Sequence, residues 1–480
     1  MTVTAERLDG SHDEIADSAL EEVRARFRGP LLPADEAAAD GGGRPVWNAM
    51  YTRRPALVAR CTGTADVVEA VRFAADRGLL AAVRGGGHSV AGLSTVDGGV
   101  LIDLSAMRGV QVDPERRIAR VQGGALLGDV DRETQLFGLA TPLGRVSETG
   151  VAGLTLGGGY GHLNAKYGLT CDNLVEAQVV CADGTVRTAS ADSEPDLFWA
   201  LRGGGGNFGV VTSFTFRLHP VGPTVGFVGA FYPLEDLVAV EQGWRDYALA
   251  APTDVTTFMV TMTFPAAPGM PEVLHDRPVA IVGAVHCGPD PEEGMLVLQP
   301  LRELGTPLFD MSGPTPYAAV QAAFDPFFPR QALRAYWKSQ YLEELSDEAI
   351  RALAARAADR PAPLALLNTY CLGGAVNAVG AEETAFPERS ARFMVGFEAM
   401  WPDPAQDATA IAWARSGWEE MTKFGTGRSF LNFTGLADES PQAGVDTAFG
   451  RNLRRLGRIK AAYDPDNLFR LNNNVVPTPG

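Results

Sequence analysis

Apolar positions recur along this 480-residue chain in two rhythms, one of period two and one of helical spacing. Residues 55–60 predict a strand. Thr64-Ala-Asp66 caps a helix over 67–77, with apolar residues at 67, 68, 71 and 74 and Gly78 at its end. Residues 79–83 form the next strand and run into Gly85-Gly-Gly-His88. Further strands are expected at 99–104, 109–113 and 117–122, the last two as a hairpin around Asp113-Pro-Glu-Arg116. A helix follows at 125–136. A second hairpin joins 174–181 to 186–189 through Asp183-Gly184, then come a short helix at 195–201 and a strand at 210–218.

His219-Pro220 and Gly222-Pro223 break the pattern. Beyond them, strands at 226–232, 256–264, 279–287, 364–371 and 393–400 are interleaved with helices at 234–248, 291–302, 346–357 and 404–421. Residues 1–45 are polar and Ala-rich, with one amphipathic helix expected over 15–27 and a Gly41-Gly-Gly-Arg-Pro45 end. Near the other terminus Phe449, Leu453, Leu456 and Ile459 share a helix face, and Arg451, Arg454, Arg455 and Arg458 lie opposite on a solvated one. The expected organisation is α+β, with boundaries at 1–44, 45–222, 223–425 and 426–480.

Composition narrows the function. A net charge of −17 disfavours nucleic acid and anionic membrane surfaces as partners. Only four residues are Lys and none follows a Gly, which excludes a phosphate-binding Walker loop. Five scattered Cys without CxxC spacing suggest a reducing compartment and no structural metal. With no apolar leader and no run of about 18 apolar residues, the expected location is the cytoplasm. Oligomeric state is not encoded legibly.

Glycine is in excess, 54 residues in all, and the excess clusters in three turns: 85–87, 157–161 and 203–209. Bare backbone N–H groups in such turns make anion cradles, and a pyrophosphate-bearing cofactor is their natural tenant. Gly204-x-Gly206-x-x-Gly209 fits the dinucleotide fingerprint in letters only, because the helix precedes it and the strand follows. Gly87-His-Ser89-Val-Ala91 approximates a nucleophile elbow, but no helix-forming segment follows, so a serine hydrolase at Ser89 is the remote alternative. His88, at a strand end behind three glycines, is expected to stand exposed beside a ligand.

Several ordered motifs together resemble the berberine-bridge-enzyme-like FAD-linked oxidases, of the vanillyl-alcohol-oxidase (PCMH-type) superfamily. They are Arg84-Gly-Gly-Gly-His-Ser-Val-Ala-Gly92, Gly150-Val-Ala-Gly-Leu-Thr-Leu-Gly-Gly-Gly-Tyr-Gly161, Tyr167-Gly-Leu-Thr-Cys-Asp-Asn173, the 196–211 segment, Arg334-Ala-Tyr-Trp-Lys-Ser339 and the 452–469 tail. The resemblance implies a PCMH-type FAD-binding domain of two α+β subdomains, and a substrate domain whose antiparallel sheet is covered by helices. It implies a flavin bonded to His88, with Arg84, Gly85, Gly86, Gly87, His88, Ser89 and Gly92 around the cofactor. Thr149, Gly150, Gly153, Gly158, Gly159, Gly161, His162, Val210, Val211, Asn432, Asn472 and Asn474 complete the expected cofactor set. Many relatives carry a second link through a Cys where this chain has Val146, so a single link is expected.

The activity implied is oxidation of an alcohol, amine or related small molecule. Hydride passes to flavin N5, with O2 giving H2O2, or another acceptor in a dehydrogenase. The family's Tyr-x-Asn motif reads Phe430-Leu-Asn432 here, which removes one familiar base. Tyr370 is then the first candidate base, provided its surroundings depress its pKa; Tyr336 and Lys338 are weaker candidates.

Overall fold

Four strands form the sheet from which the first glycine loop springs. A computed structural model describes residues 2–39, 45–266, 269, 271–433, 435 and 441–478; Gly41 to Arg44 of the expected linker lie outside them. Leu57–Arg60, Val100–Asp103 and Ala81–Arg84 run parallel, and Leu31–Pro33 adds an antiparallel edge. Leu57–Arg60 and Val100–Asp103 are buried throughout, as continuous apolar runs covered on both faces require. Helix Thr64–Asp76 connects Leu57–Arg60 to Ala81–Arg84. Its start is held by Asp66, whose carboxylate accepts from the backbone N–H of Arg28 (2.8 Å), Gly29 (3.2 Å) and Thr62 (2.8 Å).

The N-terminal helix expected over 15–27 is shorter. A hairpin, Thr2–Glu6 with His12–Ala16, precedes helix Asp17–Arg24. The reason is a period-two pattern in His12-Asp-Glu-Ile-Ala16, in which Asp13 and Ile15 turn inward.

Both expected hairpins form and join one five-stranded antiparallel sheet, in the order Val186–Ser190, Leu174–Val180, Val210–Arg217, Ile118–Gln122, Val110–Asp113. The second glycine segment holds a helix the sequence reading lacked, Val151–Leu156. In the C-terminal helix Leu453–Tyr463, Leu456 and Ile459 pack with Phe449 beneath this sheet. Outside, Arg455 stands 4.1 Å over the Trp199 ring and pairs with Asp196. Asn207 ties the third glycine turn to the tail: its amide donates to the carbonyls of Gly204 and Asn473 and accepts from the N–H of Val475.

The eight-stranded antiparallel sheet runs in the order Phe309–Asp310, Thr224–Pro233, Pro278–His286, Val255–Thr263, Ala365–Cys371, Phe393–Trp401, Arg334–Leu342, with Gly313–Pro316 also paired to Thr224–Pro233. The strand Arg334–Leu342 is absent from the sequence reading. Helices including Leu237–Ala250, Asp347–Ala358 and Asp407–Met421 pack on one face against Val395, Phe397, Ala399 and Trp401. On the other face stand Trp337, Tyr341, Leu366, Tyr370, Met394 and Met400. Strand alternation alone sorts these residues.

Residues 45–51 pin this sheet to the first glycine loop. The Trp47 N–H donates to the Gly87 carbonyl (2.7 Å) and its indole N–H to that of Phe328 (3.0 Å). Buried Asn48 donates to the carbonyls of Val90 (2.7 Å) and Ala335 (2.9 Å) and accepts from the Ala335 N–H (3.0 Å). Among the described residues no helix is long and apolar enough to cross a membrane.

Candidate active site

A cavity of about 350 Å³ lies between the glycine loops and the open face of the large sheet. From the expected set it brings together Gly85, Gly86, Gly87, His88, Ser89, Thr149, Gly150, Gly153, Gly159, Val210, Val211, Asn432, Asn472 and Tyr370.

The others stand elsewhere. Arg84 turns to Asp103 (2.7 Å) and joins two parallel strands. A Cβ at Gly92 would meet the Tyr51 ring at 2.5 Å, one at Gly158 the Phe386 ring at 2.7 Å, and one at Gly161 the Leu143 carbonyl oxygen at 1.5 Å. Those glycines serve packing within the protein. His162 is buried beside Phe258, with both ring nitrogens unpartnered and burial holding it neutral. Asn474 does not line the cavity, and its side-chain oxygen is buried without a partner.

Tyr336 and Lys338 project from the helix-covered face. Tyr336 accepts a hydrogen bond from Arg415 (3.2 Å), and Lys338 lies over Trp418. Strand parity puts their neighbour Trp337 into the cavity instead. Both candidates are thus on the wrong side for chemistry in this cavity.

The loop wall is made of backbone. Gly86 and Gly150 touch each other so closely that a Cβ on Gly86 would lie 2.3 Å from the Gly150 Cα. A Cβ on Gly153 or Gly206 would instead stand in open space. Ser89 accepts from the Leu93 N–H (3.1 Å) in a turn, and no helix follows it, so the elbow geometry a serine nucleophile requires is missing.

His88 is not the exposed group expected. It stacks on Trp47, with ring centroids 4.6 Å apart and planes at 15°, and its Nε2 is buried without a partner. Burial, aided by the nearby Arg330 charge, lowers its pKa to about 3. The imidazole is neutral and keeps its lone pair at any physiological pH.

The sheet wall is made of side chains, and most were missed from sequence. The Tyr370 hydroxyl donates to Glu398 Oε1 (3.0 Å). Burial pushes Glu398 up to about 7, against hydrogen bonds from Asn368 and Tyr370 and the attraction of Arg145. Burial first, then the Glu398 carboxylate, push Tyr370 well above its ordinary value. The depressed pKa wanted of a tyrosine base is therefore reversed. Arg145 stands with Cζ 3.8 Å from the Phe258 ring centroid and 4.6 Å from that of Tyr370, and burial lowers it to about 10. Farther along, the hydroxyls of Tyr160 and Tyr341 meet at 3.1 Å, and Phe430 sets its edge against Tyr160. One signal for Glu398 was present in the sequence: it is the single charged residue in the strand Phe393–Trp401.

Known proteins share this sequence pattern and this fold. Residues 55–190 match the sequence family described as an FAD binding domain, and residues 429–476 the family described as berberine and berberine like. An uncharacterised FAD-linked oxidoreductase of Bacillus subtilis is 30% identical over 90% of this chain and 93% of its own. An FAD-linked oxidoreductase of Aspergillus terreus is 32% identical over 98% of each chain. The crystal structure of 6-hydroxy-D-nicotine oxidase from Arthrobacter nicotinovorans superposes with a TM-score of 0.80 at 26% identity, covering 94% of this chain and 98% of that one.

Proposed function

Because the chain belongs to the berberine-bridge-like FAD-linked oxidoreductases, we propose that it oxidises a C–H of a small hydroxylated or amino compound, with Glu398 as the base. In this reading residues 45–222 and 426–480 hold the FAD, and 223–425 carry the substrate wall. The residues fit the group: the open space at Gly153 and Gly206 would admit a cofactor backbone, and the unpartnered Nε2 of His88 faces no protein donor or acceptor. When bound, FAD supplies the two-electron acceptor for the substrate C–H, and O2 takes those electrons on as H2O2.

The observation that carries the proposal is the Glu398–Tyr370 pair set across the cavity from the glycine loops. A carboxylate half-ionised near neutrality is poised to accept a proton and to release it again. Tyr370, already donating to Glu398, passes its proton on as it receives the substrate's, so a free phenolate never forms. Trp337, Phe328, Met394 and Leu366 keep this end of the cavity apolar and dry, which strengthens each polar contact there.

The flavin attachment is assigned to His88 alone. A neutral imidazole has the lone pair that such a bond needs, and Val146, at the position of a second link, lines the cavity with a side chain that cannot form one. Among the described residues no cysteine lines the cavity.

The decisive experiment is intact-mass analysis and acid precipitation of the yellow protein, followed by a peroxide-coupled screen of alcohols, amines and sugars. A pellet that stays yellow and a substrate-dependent peroxide signal are expected. A colourless pellet removes the His88 link; turnover with dye acceptors and no peroxide makes the protein a dehydrogenase.

A further inference from the structure

Among the described residues Arg145 is a cation held by two aromatic rings, with no group bonded to it. Its Nε is buried unpaired, and among the described residues the guanidinium makes no hydrogen bond and no ion pair. It is the one guanidinium among the described residues lining the cavity, and Glu398 is the one carboxylate. The two do not pair, because Glu398 is engaged by Tyr370 and Asn368 instead. Leaving a charge unpaired away from water is costly, and the rings of Phe258 and Tyr370 offset only part of that cost. His162, neighbouring Arg145, has no charge to offer it. The arrangement keeps a fixed positive charge available to whatever enters.

Resting on the reading of this cavity as the substrate pocket, we infer that Arg145 is a specificity-determining anchor for an anionic group, and that the substrate is a small aromatic carboxylate. Its carboxylate docks on the guanidinium, whose paired N–H groups match that planar anion better than a point charge does. Its ring lies among Val260, Phe324, Leu366 and Met394, and the group to be oxidised faces Tyr370 and Glu398. A neutral substrate of the same shape leaves the guanidinium unsatisfied, which is the stronger half of the discrimination.

The test is calorimetric titration of the flavin-loaded enzyme with benzoate and with benzamide, as anionic and neutral probes of one shape. Benzoate is expected to bind at least about tenfold more tightly. Arg145→Gln should erase the preference at unchanged flavin content and melting temperature, and Arg145→Lys should keep part of it. No preference in the unaltered enzyme, including failure of either probe to bind, overturns the inference. A preference that survives Arg145→Gln does so too. Loss of flavin from Arg145→Gln with the preference intact assigns the guanidinium to the cofactor and likewise overturns it. Flavin absorbance on the same samples separates the premise: yellow protein without preference sinks the anchor alone, whereas protein that never carries flavin sinks the oxidoreductase reading and the anchor with it.

Discussion

The two walls of the cavity are built on opposite plans. The loop wall is rich in exposed backbone, with glycines from three turns lining the cavity. The sheet wall presents side chains, each from an alternate position on strands far apart in sequence. A backbone wall suits a large ligand that never leaves and must be approached closely along its length. A side-chain wall suits chemistry and selection, because a single substitution changes a proton acceptor or a charge. On the loop wall His88 is held neutral, while the sheet wall holds Glu398 near its midpoint.

The sharpest challenge to that contrast is Glu398→Gln. Turnover should fall by about 100- to 10,000-fold with flavin content unchanged, measured by substrate-dependent flavin reduction under anaerobic conditions. A loss under about threefold moves the base elsewhere. Tyr370→Phe should cost less, roughly 10- to 100-fold, since the carboxylate remains; a loss equal to that of Glu398→Gln makes the two an inseparable unit.

On the opposite wall, Gly153→Val places atoms where the structure leaves open space. It should lower flavin per polypeptide several-fold with little change in the fold by circular dichroism. Gly86→Ala tests the other kind of glycine: its methyl meets Gly150, so the expected effect is on stability, about 1–3 kcal/mol in a denaturant titration. If both variants act only on stability, the loops are packing devices and the backbone wall is misread.

The smallest effects follow from proton linkage. Activity should rise with pH through about 7 as Glu398 ionises, and kcat/KM against pH should show that limb. For stability the sign is reversed. The folded state holds this proton more tightly than the unfolded chain, so the carboxyl costs stability progressively between the ordinary glutamate range and about pH 7. Glu398→Gln should therefore be the more stable protein at pH 8, by at most roughly 3 kcal/mol.

The same contrast explains what was legible in the sequence. Glycine turns are contiguous, so Gly85 to Ser89, Thr149, Gly153 and Val210 announce themselves within a few letters, and a C-terminal pair such as Asn432 and Asn472 follows once the pattern is known. The sheet wall is assembled from Asn368, Tyr370 and Glu398, with Arg145 brought against it from the segment before the second glycine turn, and these groups meet only after the sheet has formed. Parity is illegible there because both faces of Ala365–Cys371 and Phe393–Trp401 are covered, leaving no polar face to mark the outside. That ambiguity is why Tyr336 and Lys338 stood as candidates at all, behind Tyr370. Gly158 and Gly161 misled for a different reason: sequence reports that a Cβ is forbidden, not what it would strike.

The short stretch around Trp47 and Asn48, bonded at once to Gly87, Val90, Phe328 and Ala335, has a practical corollary for recombination. A graft that exchanged the sheet for a relative's to change selectivity would inherit a mismatched seam unless residues 45–51 travelled with it. The donor boundary therefore belongs upstream of that splice, not at the proline-marked junction near residue 222 where the chain itself changes character.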